Sequence, residues 1–138
     1  MSAWYLDTSA FVTFVGSEEH SNALRSWIAE RARTDDLLVS SDLLRTEGVR
    51  AARRSGDGTL LARTMRALDE LDLIRLAQAT YTAAGVLDPP ALRSLDAIHI
   101  AAAQSLGSDL GGIVAYDNRL IHAARRVGIT SVSPGLDH

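Results

Sequence analysis

"WYLDTSAFV", residues 4–12, decides how this chain is read. Trp4, Tyr5 and Leu6 make a short apolar run of extended character. Asp7 stops it, the hydroxyls of Thr8 and Ser9 follow, and the apolar run resumes at Ala10. A strand that ends on a carboxylate either caps a helix or opens a site. The run extends back to make a first strand over Ala3–Leu6, and three more apolar runs read as strands: Leu37–Ser40, Leu73–Leu76 and Ile113–Tyr116, with a weaker fifth at Ile129–Val132. Helical patterns lie between them over Asn22–Arg33, Asp42–Arg54, Thr59–Leu71, Ala91–Leu106 and Asn118–Val127. Ser41 or Asp42 offers a cap, Pro89-Pro90 a start signal and Gly128 a natural stop. Strands alternating with helices predict an α/β fold, a mostly parallel sheet covered on both faces. In such a sheet ligands bind at the carboxyl ends of the strands, which is where Asp7 stands.

The totals set the bounds. A chain of 138 residues fits one domain, expected over 1–138. Mean hydropathy is near zero, and no apolar stretch approaches the ~20 residues that span a bilayer. No basic segment followed by an apolar core marks a secretion signal, and there is no cysteine, so the expected place of action is the cytoplasm. Net charge is -3, which argues against a purely electrostatic nucleic-acid binder. All 14 basic residues are arginine. Without lysine there is no Walker A phosphate loop, no Schiff base and no amine catalysis. Arg45, Arg50, Arg53, Arg54, Arg63 and Arg66 cluster in a stretch holding only Glu47 and Asp57 as acids. Such a cluster is either a solvated helix face or a local phosphate-binding surface.

Four carboxylates sit in awkward places. Asp7 closes the first strand and Asp117 directly follows Ile113–Tyr116, so two parallel central strands would deliver both to one sheet edge. In "ALRSLDAIHIAAAQSL" (91–106), helical spacing puts Asp96 on one side with Leu92, His99, Ile100 and Ala103. A carboxylate in that apolar stripe needs an arginine partner or a metal. Glu47 likewise has Leu43, Leu44, Gly48 and Ala51 as helical neighbours. Two carboxylates ~5 Å apart repel by about 3 kcal/mol at an effective dielectric of ~20. Four converging acids therefore call for a cation. Oxygen ligands without cysteine select Mg²⁺ or Mn²⁺, whose remaining ligands are commonly phosphate oxygens. That chemistry is metal-assisted phosphodiester cleavage.

"LDTSA", the glutamate of "LLRTEGVRAARR", "SLDAIHIAAA" and "IVAYDNRLIHAARRVGI" together resemble, in order and spacing, the four signature segments of PIN-domain ribonucleases. They are most similar to the VapC toxins of bacterial toxin–antitoxin pairs, and the resemblance covers essentially the whole chain. It implies a three-layer α/β/α sandwich around a five-stranded sheet. It implies an Mg²⁺- or Mn²⁺-dependent endoribonuclease acting on transfer, ribosomal or messenger RNA. The partner it implies is a small VapB-like antitoxin that blocks the site, the assembly a homodimer, and the long second helix is a candidate docking face. The metal-binding and catalytic acids implied are Asp7, Glu47, Asp96 and Asp117. Ser9, two after the first acid, would orient Asp7 or a water, or cap the helix. His99 is either a packed histidine or a support for the acids. Arg50, Arg53 and Arg119 are candidates for holding RNA. Two departures stand out. Many relatives have a hydroxyl residue two before the last acid, where this chain has Ala115. Many have phenylalanine three after it, where Leu120 reads as a core swap. Trp4 and Trp27 read as core or interface, His122 and Arg119 lie just after Asp117, where Arg119 either reaches the phosphate or forms a surface salt bridge, and His20 and His138 carry no pattern. Two alternatives remain open: a catalytically silent PIN-like domain that only binds protein or RNA, and a phosphatase-type α/β domain. The second suffers from the absence of lysine and from serine at position 9, where the dehalogenase type needs a second aspartate.

Overall fold

Five parallel strands build one sheet in the order β3-β2-β1-β4-β5. The strands are β1 (Ala3–Leu6), β2 (Leu37–Ser41), β3 (Asp72–Ile74), β4 (Leu110–Val114) and β5 (Ser131–Val132). Among the described residues seven α-helices accompany them: α1 (Thr8–Val15), α2 (Ser21–Arg33), α3 (Leu44–Ser55), α4 (Gly58–Glu70), α5 (Gln78–Gly85), α6 (Ser94–Gln104) and α7 (Asn118–Arg126). These observations come from a computed structural model that describes residues 1–136; His138 lies outside them.

β1 is central because both of its faces are apolar. Tyr5 pairs in register with Val39 and Ile113, and all three are buried in the main core with Ile100, Leu120 and Ile121 of α6 and α7. Leu6 and Val114 face the other way, onto Ala10 of α1 and Leu24, Trp27 and Ile28 of α2. Each fully buried large side chain of this kind contributes about 1.5–3 kcal/mol. Helices thus cover both faces, as a parallel sheet requires. A third cluster joins Phe11, Leu44 and Leu68, which docks the α3–α4 pair onto α1. Contact there is close: a Cβ at Gly48 would lie 2.8 Å from the Phe11 ring. Glycine lets α3 come in and carries Glu47 with it.

From β1 the chain steps to β2 on one side, while β4 returns on the other. The strand order therefore reverses between β1 and β4, and the crevice at their carboxyl ends is where open α/β sheets bind ligands.

Several boundaries differ from the sequence expectation. The fourth strand is Leu110–Val114, displaced toward Gly111 and Gly112, where a Cβ would collide with the Trp4 indole at 2.9–3.0 Å. Packing against Trp4 outweighs the poor strand propensity of glycine. Asp117 consequently stands three residues beyond the strand. α6 starts at Ser94 and not at Ala91, because Pro89 and Pro90 belong to a turn closed by the Leu92 amide on the Pro89 carbonyl, 2.9 Å. Asp96 thereby moves from mid-helix to the first turn. β3 ends at Ile74, and β5 holds only Ser131 and Val132. α1 and α5 have no counterpart in the expectation; both are eight residues long, too short for a sustained 3.6-residue pattern to emerge. Leu120 is 1 % exposed in the main core, where the expected swap for phenylalanine puts it. Trp4 and Trp27 meet edge to face at 5.1 Å. No helix among the described residues is long and apolar enough to cross a membrane.

Candidate active site

Asp7 ends β1 and begins α1. Its Oδ1 accepts from the Ala10 amide at 2.8 Å, so it is the helix cap. It is also 4 % exposed, an unusual degree of burial for a cap. Ser9 Oγ lies 2.7 and 2.8 Å from its two carboxylate oxygens, so the serine holds the acid and the acid holds the helix. Burial pushes the Asp7 carboxyl up to about 6; the Ala10 and Ser9 hydrogen bonds oppose the rise and the charge of Asp117 adds to it.

Ser9 reaches across the switch point as well. Its Oγ accepts from the amides of Tyr116, 2.9 Å, and Asp117, 3.2 Å. One hydroxyl thus ties the end of β1 to the turn after β4. Ala115, lacking a hydroxyl, contributes its carbonyl to Ser133 Oγ at 2.6 Å instead. Asp117 is exposed and caps α7, its Oδ1 accepting from the Arg119 amide at 2.9 Å. Asp96 projects from the first turn of α6, where free amides and the helix dipole favour an anion. Burial, then the charge of Asp117, raises its carboxyl above the ordinary range. It is half-buried and not sealed in an apolar stripe, because the late helix start turns Leu95 to solvent.

Glu47 comes from α3 and meets a different environment. His99 Nε2 lies 2.9 Å from Glu47 Oε1 and 3.2 Å from Thr8 Oγ1, while His99 Nδ1 lies 2.7 Å from the Tyr5 hydroxyl. Burial works against the Glu47 charge, but the hydrogen bond and charge of His99 outweigh it and hold the carboxyl below its usual range. Burial pushes the Tyr5 phenol well above its usual range, so it keeps its proton. An ionised carboxylate only accepts, so Nε2 carries a proton toward Glu47. Tyr5, on the innermost strand, thereby sets the ring that sets Glu47.

All four acids, Ser9 and His99 line one cleft of about 370 Å³, together with Arg93 and Arg119. Thr8, Glu47 and Leu95 continue into a neighbouring groove of about 490 Å³ that carries Arg50 and Arg54. Arg53 is exposed and lines neither. The sequence placed Arg54 in the arginine cluster, four residues after Arg50 on one helix face, but gave no sign of the parts taken by Arg93, Thr8 and Tyr5; nothing local marked the Tyr5 hydroxyl.

Among the described residues no arginine lies within ion-pair distance of Asp7, Asp96 or Asp117. Nor do any three acid or histidine side chains already form a metal-ligating group. The donor set is nevertheless that of a hard cation: carboxylate oxygens, one deeply buried, raised in pKa, and without a guanidinium to quench it.

Known proteins resemble this chain in sequence and fold. The PIN domain family model matches residues 4–126. Ribonuclease VapC46 of Mycobacterium tuberculosis (strain ATCC 25618 / H37Rv) is 43 % identical over 134 residues, covering 97 % of this chain and 99 % of the relative. Ribonuclease VapC47 of Mycobacterium tuberculosis (strain CDC 1551 / Oshkosh) is 37 % identical over 131 residues, covering 95 % and 96 %. The crystal structure of Mycobacterium tuberculosis VapC20, described as a sarcin-ricin loop cleaving toxin, superposes with a TM-score of 0.70 over 95 % of this chain and 99 % of that one. At 16 % identity that likeness speaks for the fold. A PIN domain matched along nearly its whole length, with two ribonuclease relatives above 35 % identity, leaves one conclusion: the chain belongs to the PIN-domain family of VapC ribonucleases.

Proposed function

We propose that this protein is a divalent-cation-dependent endoribonuclease and the toxin of a toxin–antitoxin pair. The observation that carries the reading is the meeting of Asp7, Asp96 and Asp117, from three separate elements, in one cleft flanked by Arg93 and Arg119. Asp7, Asp96 and Asp117 are the residues that would hold Mg²⁺ or Mn²⁺. Bound there, such an ion would supply Lewis-acid charge for a phosphodiester oxygen and would lower the pKa of a bound water. The chain's own residues do the rest. Ser9 fixes Asp7 and the Asp117 turn relative to each other. Arg93 and Arg119 draw the scissile phosphate toward an otherwise repulsive acidic surface. Glu47 adds a fixed negative charge on the opposite wall, oriented by His99 and Tyr5. Arg50 and Arg54 offer a phosphate contact farther along the strand. A VapB-like antitoxin as partner, a homodimer as assembly and the cytoplasm as place of action rest on the family.

The test is sequencing of RNA 5′ ends after brief induction of wild type beside Asp96→Asn. Discrete cut sites in wild type alone, with growth arrest confined to it, are the expected outcome. Cut sites shared by both would sink the assignment. In parallel, Mn²⁺ titration by calorimetry should give binding that disappears in Asp7→Asn.

A further inference from the structure

A second cleft, of about 400 Å³, adjoins the catalytic one and shares Arg93, Asp96 and Arg119 with it. Its walls differ in kind. Pro89, Ala91, Leu92 and Ala123 supply an apolar floor, and the exposed side chains of His122 and Arg126 complete the lining. Three guanidiniums thus face one carboxylate. Arg126 is exposed in the last turn of α7 and has no acid within ion-pair distance among the described residues. The volume is that of a small-ligand site.

Each candidate occupant can be weighed by what it leaves unsatisfied. An acidic peptide would neutralise the arginines but leave the Pro89–Leu92 floor uncovered. An apolar ligand would fill the floor and strand three cations. A nucleotide does both, because its base is planar and apolar on its faces while its phosphate is anionic. Arginine suits both halves, since the guanidinium pairs with phosphate through its edge and stacks on a base through its face.

We propose that this cleft is the subsite for the nucleotide adjoining the scissile phosphate, with the base on Leu92 and Pro89 and the outer phosphate on Arg126. The proposal rests on the ribonuclease reading of the neighbouring cleft. Its consequence is that the strand must be single at this position, because a base can enter the floor only after leaving its own stack.

The probe is a fluorescein-labelled single-stranded hexaribonucleotide. Its binding is measured by anisotropy on an Asp7→Asn background, where cutting is switched off and this cleft is untouched. Arg126→Ala should weaken binding about tenfold, and Arg126→Lys, which keeps charge without the planar face, about threefold. In otherwise wild-type protein Arg126→Ala should raise KM for a longer RNA about tenfold and leave kcat within about twofold. Arg126→Gln serves the same purpose if a melting curve shows that the alanine variant has lost its fold. Unchanged KM and unchanged binding, with wild type still cutting RNA, would overturn this subsite and spare the ribonuclease reading. Arg126-dependent binding by a protein that cuts no RNA would do the reverse. Arg126-dependent binding of a hexaglutamate peptide, with hexamer binding indifferent to Arg126, would overturn the subsite in favour of a protein partner.

Discussion

The cleft has two ends, and they treat a carboxylate in opposite ways. At the switch-point end Asp7 is buried, hydrogen-bonded by neutral groups only and pushed up to about 6, with Asp117 adding repulsion. At the α3 end Glu47 is half-buried, faces the ring of His99 and is held below its usual range. The two side chains carry the same functional group in the same depression. What separates them is the neighbour: the His99 ring at Glu47 and a second carboxylate, Asp117, near Asp7. Glu47 has a permanent partner supplied by the fold, so its negative charge is already satisfied. Among the described residues Asp7, Asp96 and Asp117 have no basic group within ion-pair distance, and in the cation-free protein their repulsion is a cost carried by the folded state. The difference teaches which acids are reserved for a ligand.

Neutralising the unpaired end is the strongest way to break the contrast. Asp7→Asn and Asp96→Asn should each lower RNA cleavage by on the order of 10³-fold in a single-turnover assay. Asp7→Asn should at the same time stabilise the cation-free protein by about 1–2 kcal/mol at pH 8, since asparagine caps a helix as well as aspartate and removes a buried charge. A urea melt checks this, and a stability loss would mean that the Asp7 charge is compensated after all.

Changing pH sharpens the contrast without a mutation. Asp7 has an ordinary value of 3.8 and a folded value of about 6, so between these the folded state binds more protons than the unfolded one. The cation-free protein should lose stability as pH rises through that window, by up to about 3 kcal/mol, and Asp7→Asn should flatten this limb. Cation affinity should run the other way, falling as pH drops through about 6 because the proton competes for the same oxygens. Denaturation curves and Mn²⁺ titrations at several pH values test both signs.

At the paired end, His99→Ala should cost about 2 kcal/mol in a thermal or urea melt. It strands the buried Tyr5 hydroxyl and removes the partner of Glu47. Glu47→Gln keeps a hydrogen-bond acceptor for Nε2 and should lower cleavage by only about tenfold, against the much larger loss at Asp7. Equal losses at the two positions would erase the distinction between the ends.

The smallest effect is expected at Ser9, which belongs to the switch-point end. Ser9→Ala unlinks Asp7 from the Tyr116–Asp117 turn. Stability should fall by about 1 kcal/mol and cleavage by about tenfold, mostly in kcat, because the acids stay but lose their mutual position.

The residues explain why some of this was legible beforehand. Asp7 and Asp117 were visible because an acid ending an apolar run is a local signal. Asp96 stands out in the sequence for a mid-helix apolar setting that the Pro89–Pro90 turn abolishes by delaying α6 to Ser94. Its membership of the cleft follows from the first-turn position. Glu47 resembles the other acids in sequence because its helical neighbours are apolar, and nothing near it along the chain announces His99. The short helices α1 and α5 escaped because eight residues give only two turns of pattern.

By itself the sequence determined the class of fold and marked four acids as candidates, because strand and helix periodicity and strand-end carboxylates are properties of neighbours along the chain; the central place of β1 came with the strand order. Only the tertiary structure decided which acids are left bare and which is paired. Tyr5 meets His99 across 94 positions and His99 meets Glu47 across 52, and Ser9 reaches the Asp117 amide across 108. Contacts at such separations are set by the strand order of the sheet, and charge in a cleft is governed by whatever that order brings within a few ångströms.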